Sequence, residues 1–325
     1  MKKIWVGILI LVVILVVAWV IFTPQNTPSK IIKIGVSQYM THSALDAVRT
    51  GVVTGFSKAG YTDGKNVIFD FQNAQGDNST NAAIAQKFAN SDYNLIIPLG
   101  TQAAQAVANL VKDRPIIFGA ITDPISAGLV KSKDITDANL TGTSNITLYK
   151  ENLELLKKIA PNAKKIGLIY NPGEANGRYG VEQFKKYGEP MGFEFILAVA
   201  NNSNEVLSAT KSIINKVDAV CLTPDNTVIA AQDSLIKVTI EGKKPLIAIN
   251  QAAVEKGALA TYGTNFEKVG ERTAEVALRI IKGEKISNVH VMDVTDADLF
   301  ISTTTAQKIG ITLSSELISQ AKKVY

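Results

Sequence analysis

The sequence predicts an α/β protein of two similar lobes, each a parallel sheet with helices on both faces. Three observations carry this. Short apolar runs alternate with amphipathic helical patterns along almost the whole chain, and strands that alternate with helices build parallel sheets. The alternation runs twice, with matching short segments in the same order. The chain has 325 residues, enough for two domains.

The first element stands apart from this pattern. Residues 4–22, "IWVGILILVVILVVAWVIF", are 19 apolar residues without a charge. As a helix they would span roughly 28 Å, close to the hydrocarbon thickness of a bilayer. Lys2 and Lys3 precede them, which puts the N-terminus on the cytoplasmic side. The run exceeds the ~7–15 residues of a signal core, and "WVIFTPQ" offers a poor small-x-small cleavage site. An uncleaved single-pass anchor is therefore favoured over a cleaved signal. Both readings place the body on the extracytoplasmic side, either held at the cell membrane or released. "TPQNTPSK" (23–30) has two prolines and no periodicity, so residues 1–29 read as anchor or signal plus linker.

The body then begins with the strand "IIKIGVS" (31–37). A helix is predicted from about Ser43 to Ala59, because Ala44, Val48, Val52 and Phe56 recur at i+4 steps on one face. "KNVIFDFQN" (65–73) is a strand, Asn78 to Asn90 a helix, "YNLIIPLG" (93–100) a strand. "TQAAQAVANLVK" is a helix and "PIIFGAI" (115–121) a strand. The second half echoes this order. "KIGL" (165–168) repeats "KIGV" (33–36), and "MGF" (191–193) meets "AGY" (59–61). "DAVCLTP" from Asp218 answers "NLIIPLG", and "PLIA" at 245 answers "PIIF" at 115.

Composition narrows the function. Net charge is +5; without the first 29 residues it is 32 basic against 29 acidic, or +3, too mild and too evenly spread for nucleic acid. One cysteine, Cys221, allows no disulfide within the chain, and its apolar strand makes it a small buried hydrophobe. With only His42 and His290 there is no Cys/His cluster for zinc and little material for a His-based triad. No G-x-G-x-x-G, G-x-S-x-G or H-E-x-x-H is present. The expectation is a protein that is not an enzyme and carries no cofactor.

In open parallel sheets, ligands bind beyond the carboxyl ends of the strands. The residues just after each strand are therefore the candidates. In the first half they include Gln38, Tyr39, His42, Gly100, Thr101, Gln102, Thr122 and Asp123. In the second they include Asn171, Glu174, Asn176, Thr223, Asp225, Asn226, Asn250 and Gln251. Thr101 opens a helix, where free N–H groups favour a carboxylate; it reads equally as a plain cap. Thr122-Asp123-Pro124 reads as a site or as an Asx turn. Asp225 is either the N-cap of a helix predicted over 227–240 or the partner of a ligand ammonium, and the two roles can coexist. Glu174 is a second candidate for that ammonium or a solvated loop acid. Tyr39 can stack on an apolar ligand group or pack in the core. His42 is a donor to a ligand carboxylate or a surface residue.

Several segments together resemble a known family. They are "IGVSQYMTHSALDAVRTGVVTGFSKAGYTDGKNVIFDFQNAQGD", "GTQAAQAV", "FGAITDPISAGLV", "IGLIYNPGEANG", "TPDNTV" and "GALATYGTNFEKVGERTAEVALRIIKGE". They are similar to the ABC-transporter substrate-binding proteins that include the tryptophan- and tyrosine-binding lipoproteins, over about 31–323. The resemblance implies two Rossmann-like lobes in a periplasmic-binding-protein fold of type I, with three crossovers, near 145–148, 262–265 and 285–296. Lobe 1 would hold 30–146 plus about 264–286, and lobe 2 would hold 147–263 plus about 287–325.

The resemblance also implies a small ligand between the lobes, an amino acid with an aromatic or apolar side chain. By it, Tyr39, Thr101, Gln102, Asp123, Asn171, Glu174, Asn176, Asp225 and Asn226 are the ligand-binding candidates. The implied partners are an ABC permease and its ATPase, with the membrane met through the N-terminal helix. The chain departs from the family in lacking a lipid-acceptor cysteine, in "GRYG" after Asn176, which puts Arg178 near the cleft mouth, and in Asn145, where Asp is common. A ligand-sensing module of a receptor system, with the same fold, is the alternative. A two-lobed transcription regulator would need a helix-turn-helix where the apolar segment stands.

Overall fold

The structure is a computed structural model and describes residues 31–134 and 139–325. The anchor expected at 1–29 lies outside the described residues. Among the described residues no helix is long and apolar enough to cross a membrane.

The first sheet forms from β1 (Ile32–Gln38), β2 (Val67–Asn73), β3 (Leu95–Leu99), β4 (Ile116–Ile121) and β5 (Leu140–Asn145), with β11 (Met292–Val294) added late in the chain. Its order is β11-β5-β4-β3-β1-β2 and every pair is parallel. The alternation seen in the sequence explains this. β3 and β4 are buried along their whole length, as strands covered on both faces must be. One face carries α1 (Ser43–Lys58) and α10 (Phe266–Ile281), the other α2 (Asn78–Ala89) and α3 (Thr101–Leu110). Phe56 fills the first layer and Phe88 the second, both fully buried; each such ring contributes about 1.5–3 kcal/mol.

The second sheet uses β6 (Lys165–Tyr170), β7 (Glu194–Val199), β8 (Ala219–Cys221), β9 (Leu246–Ile247), β10 (Ala260–Thr264), β12 (Ala297–Ile301) and β13 (Lys323–Val324). Its order is β13-β12-β10-β9-β8-β6-β7, parallel except where β10 meets β12. Around it pack α4 (Tyr149–Ile159), α5 (Ala175–Gly188), α6 (Val206–Ile213), α7 (Asn226–Ala230), α8 (Gln232–Glu241) and α9 (Gln251–Glu255). α11 (Thr303–Ile309) and α12 (Ser315–Gln320) complete the layer. Cys221 is fully buried, and burial alone pushes its thiol up from the ordinary range.

Three differences from the sequence reading matter. One helix was expected over 227–240. The chain instead breaks at Ala231 into α7 and α8, and the buried Gln232 reaches Ser43 of α1 at 3.3 Å. The segment 287–294 was grouped with the second lobe. Met292, Asp293 and Val294 pair with Thr143, Ser144 and Asn145, so β11 extends the first sheet and the chain leaves it only at Thr295-Asp296. Third, β4 carries an irregularity between Phe118 and Ile121, with Ala120 in the left-handed region at φ 58°. That conformation is strained for a residue with a side chain, and it turns the end of β4 out of register.

The chain passes between the sheets after β5, after β10 and between β11 and β12. These passages are bonded to one another. Ile146 N–H donates to Val294 O at 3.1 Å, Asn265 N–H to Asp296 O at 3.3 Å, and Thr264 Oγ1 to Ile146 O at 3.2 Å. After the second passage α10 returns to the first lobe and lies on α1 at backbone contact. A Cβ on Gly51 would stand 2.0 Å from Glu267 O, and one on Gly270 2.0 Å from Val48 O. Only glycine permits that approach.

Candidate functional site: the cleft between the two sheets

Both sheets aim their carboxyl ends at a common cleft. A narrow cavity of about 20 Å³ lies there. Its polar wall is His42, Thr101, Thr122, Asn145, Asn176 and Asn226, and Ala44, Leu45, Ile229, Ile249 and Phe266 supply apolar surface. The wall holds no carboxylate, lysine or arginine.

Each polar group is placed by local structure. His42 caps α1: its Nδ1 accepts the Leu45 N–H at 3.3 Å. That fixes the tautomer, with the proton on Nε2, which donates to Asn226 Oδ1 at 3.1 Å. Burial lowers the pKa of His42; the bond to Asn226, Glu174 and Asp46 act in the opposite direction. Thr101 follows Gly100, which takes φ 88° and gives α3 no side-chain cap. The first N–H groups of α3 therefore have no partner within the helix, which suits an anion.

A chain of side-chain amides crosses the cleft. Asn226 Nδ2 donates to Gln102 Oε1 at 2.8 Å, and Gln102 Nε2 donates to Asn176 Oδ1 at 3.2 Å. Asn176 Nδ2 then donates to Glu174 Oε2 at 3.0 Å and to Pro224 O at 2.7 Å. The series His42, Asn226, Gln102, Asn176 alternates between the two lobes and runs donor to acceptor toward one carboxylate.

The two acids behind the wall are occupied. Glu174 is 2% exposed and accepts from Asn176 Nδ2, from the N–H groups of Asn226 and Thr227, and from Thr227 Oγ1. Asp225 is 0% exposed and caps α7, accepting the Val228 N–H at 3.1 Å and the Asn171 N–H at 2.7 Å. Burial and the Glu174 charge hold the Asp225 acid well above the usual carboxylate range, against the pull of those N–H donors.

Of the nine residues expected in the site, Thr101, Asn176 and Asn226 form the wall, and Gln102 bridges it. Glu174 and Asp225 lie behind it. Asn171 turns away, bonding Asn201 O, Thr227 Oγ1 and the Gly173 N–H. Asp123 accepts the Ser126 N–H at 2.7 Å and caps the turn that follows it. Tyr39 packs in the core with its hydroxyl 3.2 Å from Gly76 O and Asn78 Oδ1; burial first, then Glu174, Asp225 and Asp77, push its pKa up to about 12. Arg178 is exposed and holds Pro172 O. Ile229, Ile249 and Phe266 went unselected in the sequence, because apolar cleft residues look like any core residue there.

The residues that converge on this cleft span both halves of the chain, and so does the family match. Residues 33–325 fit the family of ABC transporter substrate binding proteins. The chain belongs to that family. The binding protein is 36% identical to a tyrosine-binding protein of Clostridioides difficile over 300 residues, 92% of this chain and 87% of that one. Its structure matches an ABC domain of Streptococcus pneumoniae in complex with L-Trp, with TM-score 0.88 and 32% identity, over 91% of this chain and 100% of that one. A substrate-binding protein of Clostridium difficile with adhesive properties, solved ligand-free and open, is 39% identical over 91% of this chain and 99% of that one. Its TM-score is only 0.69. In the present structure the bonds from His42 and Gln102 to Asn226 and Asn176 tie the two lobes across the cleft. A wider surface groove lies elsewhere, between α1 and α10 on the first lobe. Several of its charges are paired, Lys58 with Glu271 and Arg272 with Glu275 among them.

Proposed function

We propose that this protein binds a small amino acid with an aromatic or apolar side chain in the interlobe cavity and delivers it to a membrane permease powered by an ATPase. The observation that carries the reading is the cavity itself: the uncapped start of α3, which suits a carboxylate, faces an uncharged wall with apolar patches from both lobes. The tyrosine-binding relative and the L-Trp complex, both above 30% identity, support an aromatic side chain. Residues 4–22 hold the body at the extracytoplasmic face of the membrane. No bond is made or broken by this chain; closure of the lobes excludes water and strengthens each polar contact.

A thermal-shift screen of the purified protein against the amino acids, sugars and nucleosides tests this. A ligand at a hundred times its dissociation constant adds ~2.7 kcal/mol of stability. A shift with L-tyrosine or L-tryptophan is the expected result. A shift with a sugar or nucleoside and none with any amino acid would remove the amino-acid assignment.

A further inference from the structure

We propose that Asn145 receives the amine of the ligand on its Oδ1, and that this neutral acceptor sets the selectivity of the cavity. The inference rests on the amino-acid reading above. Asn145 ends β5, at the point where the chain first leaves the first sheet. It is 4% exposed and lines the cavity, and among the described residues its Oδ1 has no hydrogen-bond partner. No other residue of the cavity wall has a buried side-chain polar atom in that condition. An unsatisfied buried acceptor is costly, and such groups in folded proteins call for a donor.

The neighbouring groups are engaged. Ser144 Oγ donates to Thr122 O at 3.3 Å, and Thr143 pairs with Thr273 at 2.7 Å. Glu174 and Asp225, the carboxylates an ammonium would otherwise seek, have their oxygens on donors of their own lobe. The start of α3 at Thr101 is rich in donors and suits the opposite end of a zwitterion. Asn145 Oδ1 is the buried acceptor of the wall without a donor among the described residues, and the positive end is assigned to it. An amide acceptor in an uncharged wall supplies no net charge to hold a cation. The site therefore selects ligands that are neutral as a whole and disfavours amino acids with a second amine.

Calorimetric titration of the full chain with L-tyrosine, L-tryptophan and the des-amino analogue 3-(4-hydroxyphenyl)propanoate is the test. In the unaltered protein L-tyrosine binds at least tenfold more tightly than the analogue. Asn145→Ala lowers L-tyrosine affinity at least tenfold and changes the analogue less than threefold, so the discrimination is lost. Asn145→Asp, close in shape, keeps L-tyrosine binding and brings L-lysine within reach; it also serves if the alanine variant does not fold. Equal loss of L-tyrosine and analogue in Asn145→Ala, or no loss of either, overturns the role of Asn145 alone. Failure of the unaltered protein to bind either aromatic amino acid overturns the amino-acid reading instead.

Discussion

His42 Nε2 lies 3.1 Å from Asn226 Oδ1, and this contact joins the first helix of one lobe to the first turn of α7 in the other. The same imidazole holds the Leu45 N–H through Nδ1. One ring is therefore both a helix cap and a cleft contact, and it serves both only when neutral. The facing charged groups are Glu174 and Asp46.

The pH dependence follows from that. Burial lowers the His42 pKa, so the folded protein binds fewer protons here than the unfolded chain does. The contribution of His42 is complete above the ordinary value near 6.5 and is lost as the pH falls below it. Melting temperatures of the protein and of His42→Asn, which keeps a capping side chain, measured between pH 7.5 and 5.0, check this. The gap between the two narrows as the pH falls. A constant gap would remove His42 as the source.

Asn226→Ala removes the partners of His42 and Gln102 together. Ligand affinity should fall at least tenfold, about 1.4 kcal/mol, because closure loses two cross-lobe bonds. Small-angle scattering should report a larger radius of gyration. A double-mutant cycle with Gln102→Ala should show coupling between the two sites.

Glu174→Gln keeps the shape and withdraws one acceptor oxygen from a carboxylate that serves four donors. The new amide N–H faces groups that are themselves donors. A loss of about 2–4 kcal/mol is expected in urea unfolding. Unchanged stability would mean that the carboxylate is not the anchor of the α7 start.

Gly270→Ala places a methyl group 2.0 Å from Val48 O, where backbone meets backbone. α10 must move off α1, and a loss of about 2–3 kcal/mol follows. Gly283→Ala gives no such clash, since nothing lies within 4 Å of that Cβ; its cost comes only from φ 94°.

Much of the fold was legible because parallel strands are buried on both faces and read as unbroken apolar runs, and because "KIGL" repeats "KIGV". β11 was not, since three residues at a sheet edge carry no sign of which sheet they join. Ala120 hid its left-handed backbone because no glycine marks the place. In the site, strand ends led to Thr101, Asn176 and Asn226. They misled at Asp225, because a helix cap and a ligand contact call for the same residue types at the same position. Asp225 turned out to face Val228 N–H and Asn171 N–H. Asp225→Asn is thus expected to affect the stability of the second lobe before it affects affinity.

The three passages between the sheets lie side by side and are tied at Ile146–Val294, Thr264–Ile146 and Asn265–Asp296. A strap of that kind resists twist and sideways slip but yields to bending. The body should therefore swing about one axis, and a single label pair, one on each lobe, would follow its whole excursion as one changing distance.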